Sequence, residues 1–261
     1  MWRYLRIWRQ FVVMAFVREA EYRVNFLLGV FEGVIQLALA VLTFDILYRF
    51  TDDVAGWSRA EVLLLVGIYR IVEGLVNMQI APNMQSVWDY IRNGELDFIL
   101  LRPVSSQFLV SARRLQPHEA VNALIGLGLA IYAGNLAGVR WSVIGVAEAA
   151  VFGLCGLLLL YTVWFLSVTA LFWTQVSIQE EIIPSLFQTA RYPVSFFKGL
   201  VRTLLTFAIP AAFATTFPVQ ALLGEADQWM LLRGIGVAAS ALLVTSVCWN
   251  YALRHYSSAS S

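Results

Sequence analysis

Residues 143–173 read VIGVAEAAVFGLCGLLLLYTVWFLSVTALFW and hold one charged side chain, Glu148. A helix rises about 1.5 Å per residue, so this run is longer than the roughly 20 residues that cross a bilayer core. It therefore either protrudes from the membrane or contains the turn into the next span. In both cases the run indicates a membrane-spanning segment.

The composition of the whole chain extends this interpretation. Hydrophobic residues make up 59% of the 261 residues and charged residues only 13%, whereas soluble domains carry about 25% charged residues. So little charge cannot cover a water-exposed surface, which excludes a cytosolic enzyme, a disordered tail and a secreted disulfide scaffold. The net charge of +1 provides no basic field for nucleic acid. We predict an all-α integral membrane protein with no nucleic-acid partner.

Six membrane-spanning helices are expected along the chain. Residues 1–23 precede them, with tryptophans and most arginines on different faces, as in a helix that lies in the membrane interface; the alternative is an extension of the first span. Four prolines between positions 184 and 218 cannot belong to one straight helix, so short re-entrant helices are expected at 196–224. The predicted spans are 24–48, 61–82, 119–138, one within 143–173, one near 170–192, and 230–253.

The distribution of arginine sets the orientation of these spans. Residues 1–23 contain five arginines and the polar stretch 83–118 contains four, whereas the loops 51–60 and 139–142 contain one each. Basic residues near span ends favour the cytoplasmic side. Both termini and the 83–118 stretch are therefore predicted to be cytoplasmic, which six spans allow.

The sequence shows no motif for catalysis, nucleotide binding or metal binding. It has no P-loop, HExxH, GxSxG or CxxC pattern. Its two histidines, His118 and His255, lie far apart, and Cys155 and Cys248 are isolated in apolar runs. We expect no catalytic residue, no metal site and no cofactor on this chain.

Residues 83–103 read NMQSVWDYIRNGELDFILLRP and form the most informative polar segment. Pro82 is expected to end the second span, and residues 84–92 are expected to form a short helix flat on the cytoplasmic surface. Apolar residues in this helix recur at i, i+3, i+4 and i+7. Gly94 is a good stop because glycine readily takes the left-handed conformation. Such an element can pass motion from a soluble partner to the spans.

This segment resembles the cytoplasmic loop of the ABC-2 type transporter permeases, in the branch that includes viologen and drug exporters. The resemblance rests on the pattern Ile91-x-x-Gly94-x-Leu96-Asp97-x-x-Leu100-x-Arg102-Pro103, and on Tyr192-Pro193-Val194 and Ile209-Pro210-Ala211 before the last span. It implies one transmembrane domain over residues 1–261, with a coupling helix between spans two and three. It also implies export across the bacterial plasma membrane by a dimer of identical or paralogous permeases. Two separate ATPase subunits would then bind ATP and magnesium.

Two groups of residues are predicted to carry function. The first is expected to contact the ATPase or to shape the contacting loop: Trp88, Asp89, Arg92, Gly94, Glu95, Leu96, Asp97, Arg102 and Pro103. The second lies within spans one and two, where a charge costs about 2.5–3.5 kcal/mol: Glu32, Gln36, Arg70, Glu73 and Asn77. These polar residues either line a substrate path between two subunits or, in the simpler alternative, neutralise one another and join helices.

The sequence therefore predicts the permease subunit of an ATP-binding cassette exporter for an amphipathic, lipid-like or drug-like substrate. A stand-alone secondary transporter or a membrane-embedded enzyme is the alternative. Secondary transporters often carry broken helices in both inverted repeats, whereas the breaks expected here lie in the second half of the chain. This difference favours the exporter.

Overall fold

The computed structural model describes residues 2–174, 179–205 and 210–256, apart from the side chains of residues 179–181. Over these residues the protein is helical, with one short antiparallel hairpin of β1 (Asp53–Val54) and β2 (Trp57–Ser58). The helices are α1 (Trp2–Glu21), α2 (Arg23–Leu47), α3 (Arg59–Leu75), α4 (Ala81–Arg92), α5 (Glu95–Leu100), α6 (Ser106–Ala112), α7 (His118–Leu136), α8 (Val143–Thr169), α9 (Leu171–Thr174), α10 (Gln179–Phe187), α11 (Gly199–Thr203), α12 (Phe217–Leu223) and α13 (Gln228–Arg254). The π-helical segments Val76–Ile80 and Ala212–Thr216 precede α4 and α12, and the 3₁₀ turns Gln188–Arg191 and Val194–Phe196 follow α10.

Five helical stretches among the described residues are long and apolar enough to cross a membrane. They are Arg23–Leu47, Arg59–Arg92, His118–Leu136, Val143–Thr174 and Gln228–Arg254. The predicted all-α integral membrane class is thereby confirmed. The long apolar run that opens at Val143 continues as helix to Thr174, so it extends past the length of one crossing rather than turning midway.

Two predictions fall partly outside the described residues. The crossing expected near 170–192 includes residues 175–178, and the region expected to be re-entrant, 196–224, includes residues 206–209. Both therefore stay predictions.

Pro82 does not end the second span, contrary to the sequence prediction. α3 continues through the π-helical segment into α4, which makes one helix from Arg59 to Arg92. A proline inside a helix cannot donate to the carbonyl four residues earlier, and its ring crowds that carbonyl. Here the carbonyl belongs to Met78, and it accepts a 3.0 Å hydrogen bond from the backbone N–H of Gln116 instead. The returning chain thus supplies the bond that the proline lacks.

The separate flat helix predicted at 84–92 is wrong for the same reason, because these residues are the last turns of the continuous helix. Their apolar side chains do not rest on a surface, since Met84 and Val87 are completely buried in the bundle. The helix ends at Arg92, and the chain turns at Gly94 with a φ of +72°. The polar stretch after the turn folds into α5 and α6, which pack back against α4.

Among the described elements, α3 and α7 contact each other most extensively, and glycines set their spacing. A Cβ on Gly67 would lie 2.6 Å from the backbone nitrogen of Ala130, and a Cβ on Gly126 would lie 2.8 Å from the Cβ of Arg70. Carbon atoms pack at about 3.5–4.0 Å, so a side chain at either glycine would push the helices apart. Small residues allow this close approach in membrane bundles, and here they place Arg70 at the helix crossing.

The proline-rich second half contributes short helices that pack inside the bundle. Ala212–Thr216 and α12 lie against α8, where a Cβ on Gly156 would be 2.5 Å from the backbone nitrogen of Ala214. The hydroxyl of Thr215 donates to the carbonyl of Ala190 at 2.8 Å, which ties this segment to the turn after α10. Surrounding protein thus covers irregular backbone, as a membrane requires.

The β-hairpin connects several elements at the start of the long helix, which is the end opposite to residues 88–103. Tyr48, at the end of α2, donates to the carbonyl of Trp57 at 2.8 Å. Burial, with the nearby carboxylates of Asp53 and Glu61, raises the pKa of Tyr48 to about 12. The indole N–H of Trp57 donates to the hydroxyl of Ser195 at 2.9 Å. The hairpin therefore joins α2, α3 and the second half of the chain.

Gly126→Ala tests whether glycine spacing holds α3 against α7. We expect it to lower the free energy of unfolding by about 1–3 kcal/mol, because the added methyl group overpacks the crossing. Gly128→Ala, two residues along the same helix, is the matched control, since a Cβ there meets no atom within 4 Å. Thermal unfolding of both purified variants in detergent measures the difference. Equal unfolding temperatures for the two variants would contradict the packing described here.

Candidate transport cavity and coupling segment

A cavity of about 470 Å³, the candidate transport cavity, lies between α2, α3, α8 and α10. Its aromatic wall includes Phe44, Tyr69, Trp164 and Phe187. A space of this size, with apolar rings and a few polar groups, is typical of small-molecule sites. Polar side chains on its wall are Gln36, Thr43, Arg70, Glu73, Asn77, Gln85, Gln188 and Arg191.

The charged pair predicted in span two forms on the wall of this cavity. Arg70 is only 5% exposed and donates to the carboxylate of Glu73, while the hydroxyl of Tyr69 donates to the same carboxylate at 2.8 Å. The side-chain oxygen of Gln36 accepts from Arg70 at 3.2 Å, and the amide nitrogen of Gln36 donates to Glu32 at 3.0 Å. A chain of hydrogen bonds therefore joins α3 to α2, as the simpler sequence alternative expects. Because these bonds lie at a cavity, the two alternatives do not exclude each other.

Four of the five polar residues predicted for the substrate path line the cavity. They are Gln36, Arg70, Glu73 and Asn77. Glu32 does not line it; it is exposed on α2, one turn before Gln36. The folded chain thus brings together residues that the sequence placed only on separate helical stripes.

Sequence analysis missed the contribution of the turn that follows α10. Gln188 and Arg191 line the cavity, and the guanidinium of Arg191 lies 5.2 Å from the ring centroid of Tyr192. The Nε of Arg191 is buried without a hydrogen-bond partner, and the ion pairs of the described residues do not include this side chain. One pattern in the sequence could have indicated this contribution. Its residues are spaced at i, i+4 and i+7, as on one face of a helix: Pro184, Gln188 and Arg191.

The coupling segment, residues 88–103, places most of its predicted contact residues at the surface. Leu96 is the exception, because it is completely buried and packs in the bundle core. It anchors α5 and cannot meet a partner directly. Trp88, Gly94 and Asp97 are half-buried. The exposed members are Asp89, Arg92, Glu95, Arg102 and Pro103.

Two apolar residues of the coupling segment are strongly exposed. Phe98 is 70% exposed and Leu101 is 81% exposed. In α5 the buried positions are Leu96 and Ile99, three residues apart, so Phe98 falls on the outer side of the helix. Exposed apolar side chains beside charged ones are typical of a protein contact surface.

A set of partly buried hydrogen bonds, the loop clamp, fastens residues 111–116 to the long helix. Asn83 is fully buried; its side chain donates to the carbonyl of Arg114 at 2.7 Å and accepts from the N–H of Arg114 at 2.8 Å. Gln79 donates to the carbonyl of Ser111 at 2.9 Å. The hydrogen bond from the backbone N–H of Gln116 to the carbonyl of Met78 completes the clamp. The chain beyond the coupling segment is therefore held to the helix before it.

The π-helical segment touches both the cavity and the loop clamp. Val76 and Asn77 line the cavity, whereas the next two residues, Met78 and Gln79, bond to the returning loop. π-helical turns are rare and occur frequently at functional sites. Consecutive residues of one helix thus connect the cavity wall to the loop.

A second cavity extends this connection toward the coupling segment. It measures about 660 Å³ and is bordered by Asp89 and Glu95, together with Arg113 and Arg114. Gln85 borders both this cavity and the transport cavity. Two of the exposed charges of the coupling segment, Asp89 and Arg92, therefore lie on the same long helix as the wall of the transport cavity.

Apolar spans around a partly polar cavity, with an exposed polar segment at one end, define a multi-pass membrane transport protein. The chain belongs to the ABC-2 family of transporters, because the family model described as ABC-2 family transporter protein matches residues 34–260. The resemblance of the coupling segment is thereby confirmed. Comparisons with curated proteins and with solved structures found no match. Family membership makes the chain the membrane subunit of an ABC transporter and implies an ABC ATPase partner.

Replacement of the buried charges tests their pairing. Glu73→Leu leaves the Arg70 charge buried without its anion, which costs about 3–5 kcal/mol, whereas exchange of both partners for apolar residues is often close to neutral. We expect the double variant Arg70→Leu with Glu73→Leu to unfold at a higher temperature than Glu73→Leu alone. Thermal unfolding of the single and double variants measures this coupling, and strictly additive losses would contradict the pairing.

Transport by the double variant separates the two interpretations of these residues. If the pair only joins helices, a variant that folds normally transports normally. If the pair lines the substrate path, the folded variant loses transport or changes its substrate preference.

Asn83→Leu tests the loop clamp. It leaves the N–H and carbonyl of Arg114 without their partly buried bonds to Asn83, at up to about 1–3 kcal/mol for each group. We expect faster amide hydrogen exchange in residues 105–117 while α13 remains protected. Asn93→Leu is the control, because Asn93 is exposed and makes no side-chain hydrogen bond among the described residues. Unchanged exchange in Asn83→Leu would contradict the clamp.

Proposed function

We propose that this chain is the permease subunit of an ATP-driven exporter and that its substrate path includes the transport cavity. The observation that carries the proposal is the continuity of the helix Arg59–Arg92. This helix bears Arg70 and Glu73 on the cavity wall and ends in the coupling segment. The partner ATPase holds ATP and magnesium, and this chain converts the motion of the ATPase into a change at the cavity.

The coupling segment receives the motion through its exposed face. ATP-driven closure of the ATPase pushes on Phe98, Leu101 and the exposed charges around them. Because Leu96 anchors α5 in the core, the push passes to α4 instead of bending α5 alone. The loop clamp makes α4 and residues 111–116 move together.

The π-helical segment is where this motion reaches the cavity. A shift between π-helical and α-helical hydrogen bonding changes the rotation of the residues beyond it. Packed elements of this kind switch between discrete arrangements. Such a shift at Val76–Ile80 moves Val76 and Asn77 on the cavity wall and alters access to the cavity.

A second permease, identical or paralogous, is part of the proposal because polar groups on α2 require cover. Glu32 lies near the middle of the span Arg23–Leu47 and is exposed in the single chain. A charge that faces lipid at this depth costs about 2.5–3.5 kcal/mol or more. A dimer that buries this face of α2, with two ATPase subunits bound to it, gives Glu32 and Gln36 a protein or aqueous surrounding.

The proposed orientation places the coupling segment and both termini in the cytoplasm of a bacterium, with residues 1–261 acting as one transmembrane domain in the inner membrane. α1 supports this arrangement, because it lies against the end of the bundle that holds the loop clamp. Arg18 donates to the carbonyl of Leu115 at 3.2 Å, and Trp8 donates to the side chain of Gln79 at 3.4 Å. An interfacial α1 therefore rests beside the coupling segment.

The cavity favours a substrate with both apolar and polar parts. The rings of Tyr69, Trp164 and Phe187 provide an apolar surface, and Gln188 and Arg191 provide hydrogen-bond donors. A volume of about 470 Å³ holds a drug-sized molecule or the polar end of a lipid-like one. We therefore propose an amphipathic or lipid-like substrate.

A stand-alone secondary transporter is the second candidate, and the carboxylates of the cavity network favour it, because such groups carry protons in ion-driven transporters. The isolated chain in vesicles distinguishes the two candidates. Uptake that follows a proton or sodium gradient supports the secondary transporter. A stable complex with a Walker-motif ATPase, and transport that requires ATP, supports the exporter.

Gly94→Val tests the coupling segment. Gly94 has a φ of +72° and open space around it, so valine disturbs only the backbone conformation, by about 1–2 kcal/mol. We expect normal membrane insertion but loss of transport and of the permease-dependent stimulation of ATP hydrolysis. Gly138→Val is the matched control, because Gly138 has a φ of +74° and open space at the other end of the bundle. ATP hydrolysis by the reconstituted complex measures both variants, and full stimulation in Gly94→Val would contradict the coupling role.

A further inference from the structure

A groove of about 880 Å³ lies between α1 and the chain on either side of the short helix α6. None of the described residues that line it is acidic, and it shares no lining residue with the transport cavity. The groove is therefore strongly basic and distinct from the transport cavity, and it adjoins the second cavity, with which it shares Arg18 and Arg113. Its five arginines are Arg6, Arg9, Arg18, Arg102 and Arg113.

The positive charges of this groove outnumber the carboxylates near it, because Asp89 and Glu95 border the second cavity together with only two of the five arginines, Arg18 and Arg113. All five arginines are exposed, and the ion pairs found among the described residues include none of them. Arg18 is held by the carbonyl of Leu115, and Arg113 lies 5.7 Å from the ring centroid of Tyr90. These contacts position the guanidinium groups without removing their charge. Like charges around one groove repel each other, so an anion bound between them stabilises the arrangement.

One wall of the groove is apolar. It is formed by Phe11, Val13 and Met14, and the last two are 52% and 70% exposed. Phe16 and Val17 continue this exposed apolar surface along α1. A helix that combines such a surface with arginines lies at a membrane interface. An occupant of the groove therefore meets both cations and an apolar surface.

We propose that the groove binds an anionic phospholipid, with the phosphate among the arginines and the start of an acyl chain along Phe11, Val13 and Met14. A phospholipid supplies both a negative charge and an attached apolar chain, whereas an acidic peptide leaves the apolar wall uncovered. Basic pockets beside membrane spans recognise anionic head groups in this way.

The bound lipid links the interfacial helix to the coupling segment. Its phosphate touches Arg6 and Arg9 on α1, and also Arg102 of the coupling segment and Arg113 beside the loop clamp. Anionic lipid thereby braces the coupling segment against α1.

Native mass spectrometry of the full-length chain in mild detergent tests the site, with phosphatidylglycerol and phosphatidylcholine as probes. We expect the wild type to retain phosphatidylglycerol in preference to phosphatidylcholine. The pair Arg6→Gln with Arg9→Gln removes two charges from α1 and lowers the affinity for phosphatidylglycerol by about tenfold or more. Arg113→Gln lowers it from the other wall of the groove.

The matched control is Arg3→Gln with Arg23→Gln, which removes the same charge from exposed positions that do not line the groove. This pair retains phosphatidylglycerol as the wild type does. Equal retention of both lipids by the wild type, or equal loss in the control pair, overturns the proposal. If the groove variants keep their lipid but release the ATPase partner, the groove is a protein contact and the proposal is wrong.

Discussion

Pro82 lies inside a membrane-spanning helix, where it cannot donate the hydrogen bond that the carbonyl of Met78 requires. A backbone carbonyl without a hydrogen-bond partner is costly wherever the surrounding protein keeps water away from it. The chain meets this constraint in two ways: a π-helical segment shifts the hydrogen-bond ladder, and the returning loop donates from Gln116. The helix is therefore continuous across the proline and is also bound to the loop beyond the coupling segment. The proposed transport mechanism depends on this joint, because the π-helical segment contributes Val76 and Asn77 to the cavity wall and the next two residues to the loop clamp.

The cavity depends in turn on close helix packing. Arg70 and Glu73 lie one turn apart on α3, and Gly33 lets α2 approach closely enough for Gln36 to accept a hydrogen bond from Arg70. Arg70 and Glu73 thus pair with each other in the bundle interior, which is the condition for keeping a charge there. Glu32 is the exception to this burial, since its carboxylate accepts from Gln36 but remains exposed on α2. That exposed carboxylate is the feature of the single chain that most clearly calls for a second protein surface.

Hydrophobicity and segment length were sufficient to predict the class of the protein and, within a few residues, the helices at Arg23–Leu47, His118–Leu136 and Gln228–Arg254. Pro82 misled the prediction because the rule that proline ends a helix is local, whereas Gln116, which satisfies the freed carbonyl, comes from a distant part of the sequence. The polar residues of spans one and two could be predicted, because charges are rare in membrane helices and need partners. The place of Arg191 on the cavity wall could not be predicted, because the surrounding prolines obscure the helical pattern of its segment. The exposure of Phe98 could not be predicted either, because it depends on the direction that α5 takes after Gly94.

The central claim is that ATP binding to the partner changes the cavity through the long helix, and the accessibility of a thiol at position 77 measures this most directly. The chain would carry Asn77→Cys, with its two native free cysteines, Cys155 and Cys248, replaced by alanine. The rate of modification by a membrane-impermeant thiol reagent is then compared in the reconstituted complex with and without trapped ATP. We predict a change in rate of several-fold at Asn77→Cys and no change at Asp52→Cys, an exposed position in the loop between α2 and α3. An identical rate at position 77 in both nucleotide states, in a complex that transports, would contradict the account.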